Sequence, residues 1–247
     1  MKKNNFPAKQ LLALCFSALL FSCNDNTEKK GDATARAADS TTTAATASTP
    51  ASAAFEPFDV MEISHKVKDY DKWKPAFNTD STVRKANGIQ DMVVGRSIDD
   101  PNKVIIALQV SDVQKAKDFG ADPRLKEVMD KAGVISKPDV QFFHIIRFDP
   151  NSKEKTWVRV THRVKDFDAW LKVYDNEGIA NRASQGLIDV ALGRGIDDPN
   201  IVTLVFDIKD LAKAKASISS EEKKKLMASA GVEGIPRIEF YKTAEGY

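Results

Sequence analysis

Gly95–Asn102 reads GRSIDDPN, and Gly193–Asn200 reads GRGIDDPN. A chain that writes one phrase twice, about 98 residues apart, has a strong constraint on its fold. The match extends well beyond the phrase. HKVKDYDKW from His65 to Trp73 recurs as HRVKDFDAW from His162 to Trp170, and between Arg84–Val104 and Arg182–Val202, 11 of 21 positions are identical. Ala132-Gly133-Val134 returns as Ala230-Gly231-Val232, and Pro138 as Pro236. Two long copies are too few for a solenoid array, so the chain carries a duplicated domain. The copies are bounded at 57–148 and 156–243.

Each copy alternates between strand and helix patterns. In Met61–Val67 the residues Ile63, His65 and Val67 share one face, opposite Glu62, Ser64 and Lys66; Val158–Val164 repeats the pattern with His162. Asp69 or Asp71 starts a helix carrying Trp73 and Phe77, and the second copy has Asp168 before Trp170 and Tyr174. Trp73 and Trp170 are read as core anchors of these helices. Gly88 and Gly186 end them. Asp91–Ile98 and Lys103–Val110 are a strand pair. The IDDPN between them has turn chemistry: Asp bonds backbone amides, Pro presets φ, and Asn tolerates left-handed geometry. That explanation is plainer than an acidic metal site. Asp112 and Asp210 cap the second helices, Asp122-Pro123 interrupts one of them, and Gly133 and Gly231 close them. Val140–Ile146 and Ile238–Tyr241 are the last strands.

The order β-α-β-β-α-β is the ferredoxin-like unit, and the fold class is α+β. Helices cover one face of such a sheet. In Val202–Ile208 the other face carries Thr203, Val205 and Asp207, which is apolar enough to need a partner. Two tandem copies can supply it, sheet toward sheet, as one intrachain pseudo-dimeric α/β barrel. No second chain is then required. The pattern H-x-V-x-D-[YF]-D-x-W … G-R-x-I-D-D-P-N-x-V, matched in both copies, resembles the dimeric α/β-barrel superfamily. Domains of the antibiotic-biosynthesis-monooxygenase type are the most similar. The resemblance implies the barrel. It leaves function open, because that superfamily holds oxygenases, haem-degrading enzymes, stress-response proteins and members without established activity.

The N-terminus reads as a targeting segment. Lys2 and Lys3 precede the apolar run Leu11–Phe21, too short to span a bilayer. Leu20-Phe21-Ser22-Cys23 resembles a bacterial lipobox, which implies a signal peptide over 1–22 and lipidation at Cys23. The other cysteine, Cys15, lies inside the apolar run, so the folded part holds no thiol for a disulfide, metal or nucleophile. Residues 23–56, rich in Ser, Thr and Ala, are expected to tether the domain to the membrane. Asn24 rather than Asp after the cysteine points to the outer membrane of the cell envelope. Removing the three basic residues before Cys23 from 37 leaves 34 against 35 acidic ones, net −1. That charge gives no reason to bind nucleic acid.

The chemistry-bearing candidates are few. His65 and His162 are repeat equivalents; His144 lies in the last strand of the first copy, beside the first strand, where it could approach His65. The three are candidate ligand-binding residues, and His65 and His162 also candidate catalytic ones. A satisfied histidine in a half-buried strand is the plainer reading. Arg96 and Arg194 could hold an acidic ligand, or more plainly pair with Asp99, Asp100 or their equivalents. No phosphate loop, hydrolase triad or metal motif is present. Haem-degrading relatives use an Asn, a Trp and a His that find no matching positions here, so no cofactor and no metal is expected.

Which face lines the barrel stays open from the pattern. With the His65 side inward, the interior is apolar with two imidazoles. With the other side inward, it holds Glu62, Ser64, Lys66, Arg159, Thr161 and Arg163, and favours an anion. The helices' need for an apolar floor places His65 on the helix side. Three functions follow: binding of a small apolar or aromatic molecule, a cofactor-independent monooxygenase or isomerase using His65 or His162, and a filled barrel serving only structure or interaction.

Overall fold

The computed structural model describes residues 55–247; the expected signal peptide, Cys23 and most of the tether lie outside the described residues. The first repeat runs β1 (Phe58–Lys66), α1 (Tyr70–Thr79), α2 (Ser81–Ala86), β2 (Ile89–Ser97), β3 (Lys103–Val110), α3 (Val113–Gly120), α4 (Pro123–Lys131) and β4 (Asp139–Phe148). The second repeats it as β5 (Thr156–Val164), α5 (Phe167–Glu177), α6 (Ile179–Ser184), β6 (Ile188–Gly195), β7 (Ile201–Asp207), α7 (Leu211–Ile218), α8 (Glu221–Ser229) and β8 (Val232–Gly246).

Local chemistry sets these boundaries. Asp69 caps α1 by accepting from the N–H groups of Asp71 and Lys72, while Asp166 caps α5 through Ala169 N–H. The caps are therefore the first aspartates, since only they precede the first turn and reach its orphan amides. Each expected helix is two short ones. Asp122 caps α4 and Pro123 opens it, because proline suits a first turn, where no donor is needed. Gly88, Gly133, Gly186 and Gly231 take positive φ at the helix exits.

The strands close a barrel in the order β1-β3-β2-β8-β5-β7-β6-β4. Within each repeat this is the ferredoxin-like arrangement. The halves join edge to edge, through β2 with β8 (Ser97 opposite Tyr241) and β4 with β6 (Phe143 opposite Gly195). Both free edges of each sheet are thereby hydrogen-bonded, which removes the open edges a four-stranded sheet would present. The seam also explains why β8 runs past Tyr241: it keeps pairing with β2 to Gly246, while upstream it pairs with β5 from Val232.

The expected division of faces is observed. Met61, Val67, Val104, Ile106, Leu108 and Trp73 form the core between sheet and helices in repeat 1, with Ile63 packed against it. Val158, Val160, Val164, Trp170, Val202 and Leu204 do the same in repeat 2. The alternate residues point into the barrel. There Trp157 stacks on Tyr241 at 4.8 Å between ring centroids, and Val60, Phe143 and Ile145 form a second apolar cluster. Glycines of the repeated phrase make room for this filling. A Cβ on Gly95 would lie 2.5 Å from Trp157 Cζ2, and one on Gly193 2.7 Å from Ile145 Cδ1.

Candidate functional site

Inside the barrel, charged side chains of the two repeats pair with one another. Arg159, 2 % exposed, projects inward from β5. Its Nε lies 2.8 Å from Glu62 Oε2, an ion pair bent away from linear hydrogen-bond geometry. Its Nη2 donates to Gln141 Oε1 at 2.8 Å and its Nη1 to Glu239 Oε2 at 3.3 Å. Burial pushes the Glu62 carboxyl up. Burial acts the same way on Glu239, but the Lys103 hydrogen bond and nearby Arg237 outweigh it and hold that carboxyl low. The remaining inward basic candidates are paired at the ends: Lys66 with Asp100, and Arg163 with Asp198 and Glu233. The basic groups thus face carboxylates of the same barrel, which removes the ground for an anion site inside.

The open space lies on the other side of the sheet. In repeat 1 a cavity of about 960 Å³ separates the outer face of β1, β3 and β4 from α1, α3 and α4. Met61, Ile63, His65 and Phe142 line its floor; Trp73 and Phe77 of α1 form one wall, and Gly120 of α3 and Val128 and Met129 of α4 the other. The volume is that of a site for a small organic molecule. The corresponding space in repeat 2, lined by His162, Trp170 and Tyr174, is about 70 Å³.

His65 reaches this cavity because it has the parity of Met61 and Ile63 along β1, the face covered by helices. The ring is 5 % exposed and meets Trp73 edge-on at 5.6 Å. Among the described residues, neither Nδ1 nor Nε2 has a hydrogen-bond partner. Burial lowers its pKa to about 4, so at neutral pH the imidazole is uncharged and offers one donor and one acceptor. His162 has the same environment: 5.5 Å from Trp170, pKa lowered by burial to about 4, both nitrogens unpartnered among the described residues. The plainer expectation of satisfied histidines is therefore corrected. The strand position is structural, but the polar atoms find no protein group in reach. A buried polar group left so costs about 1–3 kcal/mol.

Arg84 of α2 backs the cavity. It donates Nε and Nη2 to the two carboxylate oxygens of Asp91 at 2.7 Å each and Nη1 to Phe77 O at 2.8 Å, with its guanidinium 3.8 Å over the Phe77 ring. Arg182 does the same with Asp189 and the Tyr174 carbonyl. This buried pair was not singled out from the sequence. The signal was there: Arg and Asp recur seven apart in both copies, Arg84/Asp91 and Arg182/Asp189.

The other candidates lie elsewhere. His144 stands opposite Asp59 in the β1–β4 register and its Nδ1 is 2.7 Å from Asp59 Oδ1 at the half-exposed rim. Asp59 is six residues from His65, about 20 Å along an extended strand, so antiparallel register keeps the two histidines apart. Arg96 and Arg194 do not pair with the turn aspartates. Their Nε groups donate to Pro101 O at 2.9 Å and Pro199 O at 3.2 Å, and they stack on Tyr70 and Phe167. They brace the hairpin against the first helix, clear of the cavity lining.

No protein-family model and no curated protein matches the chain. Solved structures do. An anthrone oxidase-like protein superposes with a TM-score of 0.52 at 12 % identity, over 77 % of this chain and 92 % of that one. A ferredoxin-fold protein related to antibiotic biosynthesis monooxygenases, from Listeria monocytogenes 4b F2365, gives 0.45 at 10 %, over 77 % and 97 %. A monooxygenase-like protein from Listeria innocua gives 0.46 at 9 %, over 77 % and 96 %. At such identities the likeness is one of fold: the chain shares its ferredoxin-like α+β architecture with the anthrone oxidase-like structure.

Proposed function

We propose that the repeat 1 cavity binds a small, flat, mainly apolar molecule carrying one hydrogen-bonding group, with His65 as its polar anchor and Trp73 and Phe77 as its apolar wall. The observation that carries this is His65 itself: an imidazole with two unpartnered nitrogens on the floor of a cavity of about 960 Å³. A ligand hydroxyl or carbonyl would relieve the cost of leaving it unmade.

Binding is favoured over proton-transfer catalysis by magnitude. A base with a pKa of about 4 facing a phenol-like group near 10 works against roughly 8 kcal/mol. The alternative, a cofactor-independent monooxygenase or isomerase, draws support from the same neutral imidazole and from the fold. It requires the ligand to be far more acidic than a phenol.

We place this domain in the cell envelope, held at the outer membrane by a lipid on Cys23. Support comes from the basic start, the short apolar run and Leu20-Phe21-Ser22-Cys23. Cys23→Ser should then move the protein into the soluble fraction; a variant that stays with membranes overturns the anchor.

The site is tested by titration with 2-naphthol and naphthalene. His65→Phe is expected to weaken 2-naphthol about tenfold, the value of one hydrogen bond, and to leave naphthalene unchanged. Equal loss for both probes, or no binding of either, overturns the reading.

A further inference from the structure

The two repeats present the same imidazole and indole on the same face of the sheet, yet the spaces beside them differ from about 960 Å³ to about 70 Å³. Four substitutions between equivalent positions contribute to this. Ile218 at the end of α7 stands where repeat 1 has Gly120 at the end of α3. Ile218 lines the small pocket and belongs to the repeat 2 core, whereas a Cβ on Gly120 would meet nothing within 4 Å. Leu226 of α8 replaces Val128 of α4, and both line their pockets. Lys223 and Glu177 form an ion pair whose side chains are only 12 % and 7 % exposed, and both line the small pocket. Their counterparts Leu125 and Asp80, which line the large cavity, cannot pair in this way.

We propose that repeat 2 holds a second, latent site for flat, mainly apolar molecules, built on His162 and Trp170 and shut by Ile218, Leu226 and the Glu177–Lys223 pair. The chain therefore binds one ligand, through repeat 1. Only the ligand class rests on the reading above; the closure rests on the volumes and the substitutions. Nothing of the site's polar anchor has been lost. His162 is 6 % exposed and unpartnered among the described residues, like His65, so unplugging the pocket restores a complete site rather than an unspecific hole. An apolar cavity cleared to roughly 150 Å³ accepts benzene.

The chain's three tryptophans report separately on the two pockets and on the barrel: Trp73 in repeat 1, Trp170 in repeat 2 and Trp157 in the interior. Their indole N–H resonances are followed by NMR during titration with benzene. In the wild type Trp73 should shift and Trp170 stay in place. In Ile218→Ala/Leu226→Ala, Trp170 should shift and saturate, with Trp157 unmoved as the mark of an intact barrel. A Trp170 that saturates already in the wild type, or stays silent in the folded variant, overturns the proposal. Should that variant fail to fold, Gly120→Ile/Val128→Leu asks the same question in reverse. It should silence Trp73, and a retained response overturns the proposal. A wild-type Trp73 that ignores both benzene and 2-naphthol sinks the repeat 1 site instead, and Trp170 of the double variant still reads the closure.

Discussion

Trp157 of the second repeat packs against the bare backbone of Gly95 in the first, so closely that a methyl group on Gly95 would lie 2.5 Å from Trp157 Cζ2 and 3.0 Å from Ile105 Cγ2. The contact reaches over β8, across the β2–β8 seam, and ties the two copies together. Gly95→Ala should destabilise the fold by about 1–3 kcal/mol, the cost of overfilling a packed interior. Trp157→Phe in the same chain should recover part of that loss, giving a non-additive cycle in urea unfolding. Simple addition of the two effects would mean the contact is not the source.

Acid should weaken the fold through the two orphan histidines. Their folded pKa values are lowered to about 4 from an ordinary 6.5. Between those limits the unfolded chain binds more protons, so stability rises with pH across the window and is lost as pH falls through it. Each histidine accounts for about 3 kcal/mol at the acid end. His65→Gln/His162→Gln should flatten the change in urea midpoint between pH 7 and 4.5; an unchanged slope would place the acid sensitivity on other groups.

The Arg84–Asp91 pair backs the proposed binding cavity and is buried on both sides. Asp91→Ala leaves a guanidinium without its carboxylate and should cost about 3–5 kcal/mol. Asp189→Ala should behave alike, since Arg182 repeats the geometry. Chemical denaturation of the two single variants measures this, and a loss under 1 kcal/mol in both would show that the pairs are not needed.

At the barrel centre, Arg159→Met should strand Glu62 in a buried interior and cost at least about 3 kcal/mol. Adding Glu62→Leu should restore most of it, because exchanging a whole buried pair for apolar groups is far milder than removing half. Melting temperatures of the single and double variants decide this. No recovery in the double variant would make Glu239 and Gln141, rather than Glu62, the essential partners.

Much of this protein was legible from its residues. The recurring Gly-Arg-x-Ile-Asp-Asp-Pro-Asn announced a duplicated unit, and the turn it encodes is made as its chemistry dictates: Asp100 and Asp198 accept from Asn102 and Asn200 N–H groups at 3.1 Å. Alternation in β1 and β5 placed His65 and His162 on the helix side, because an amphipathic helix needs an apolar floor. These features are local, and each depends on residues within a few positions of one another.

What the sequence determined by itself is therefore the repeat, the order of elements, and which residues share a face of each strand. Only the tertiary structure decided that the halves join through β2–β8 and β4–β6, that Arg159 and Glu62 fill the space expected to hold a ligand, and that one repeat keeps a cavity its twin has closed. The reason is physical. Strand parity is a property of neighbouring residues, whereas the volume left over between sheet and helix is a small difference between side chains brought together from distant parts of the chain. Ile218 and Gly120 mean nothing for that volume until α7 and α3 lie against their sheets.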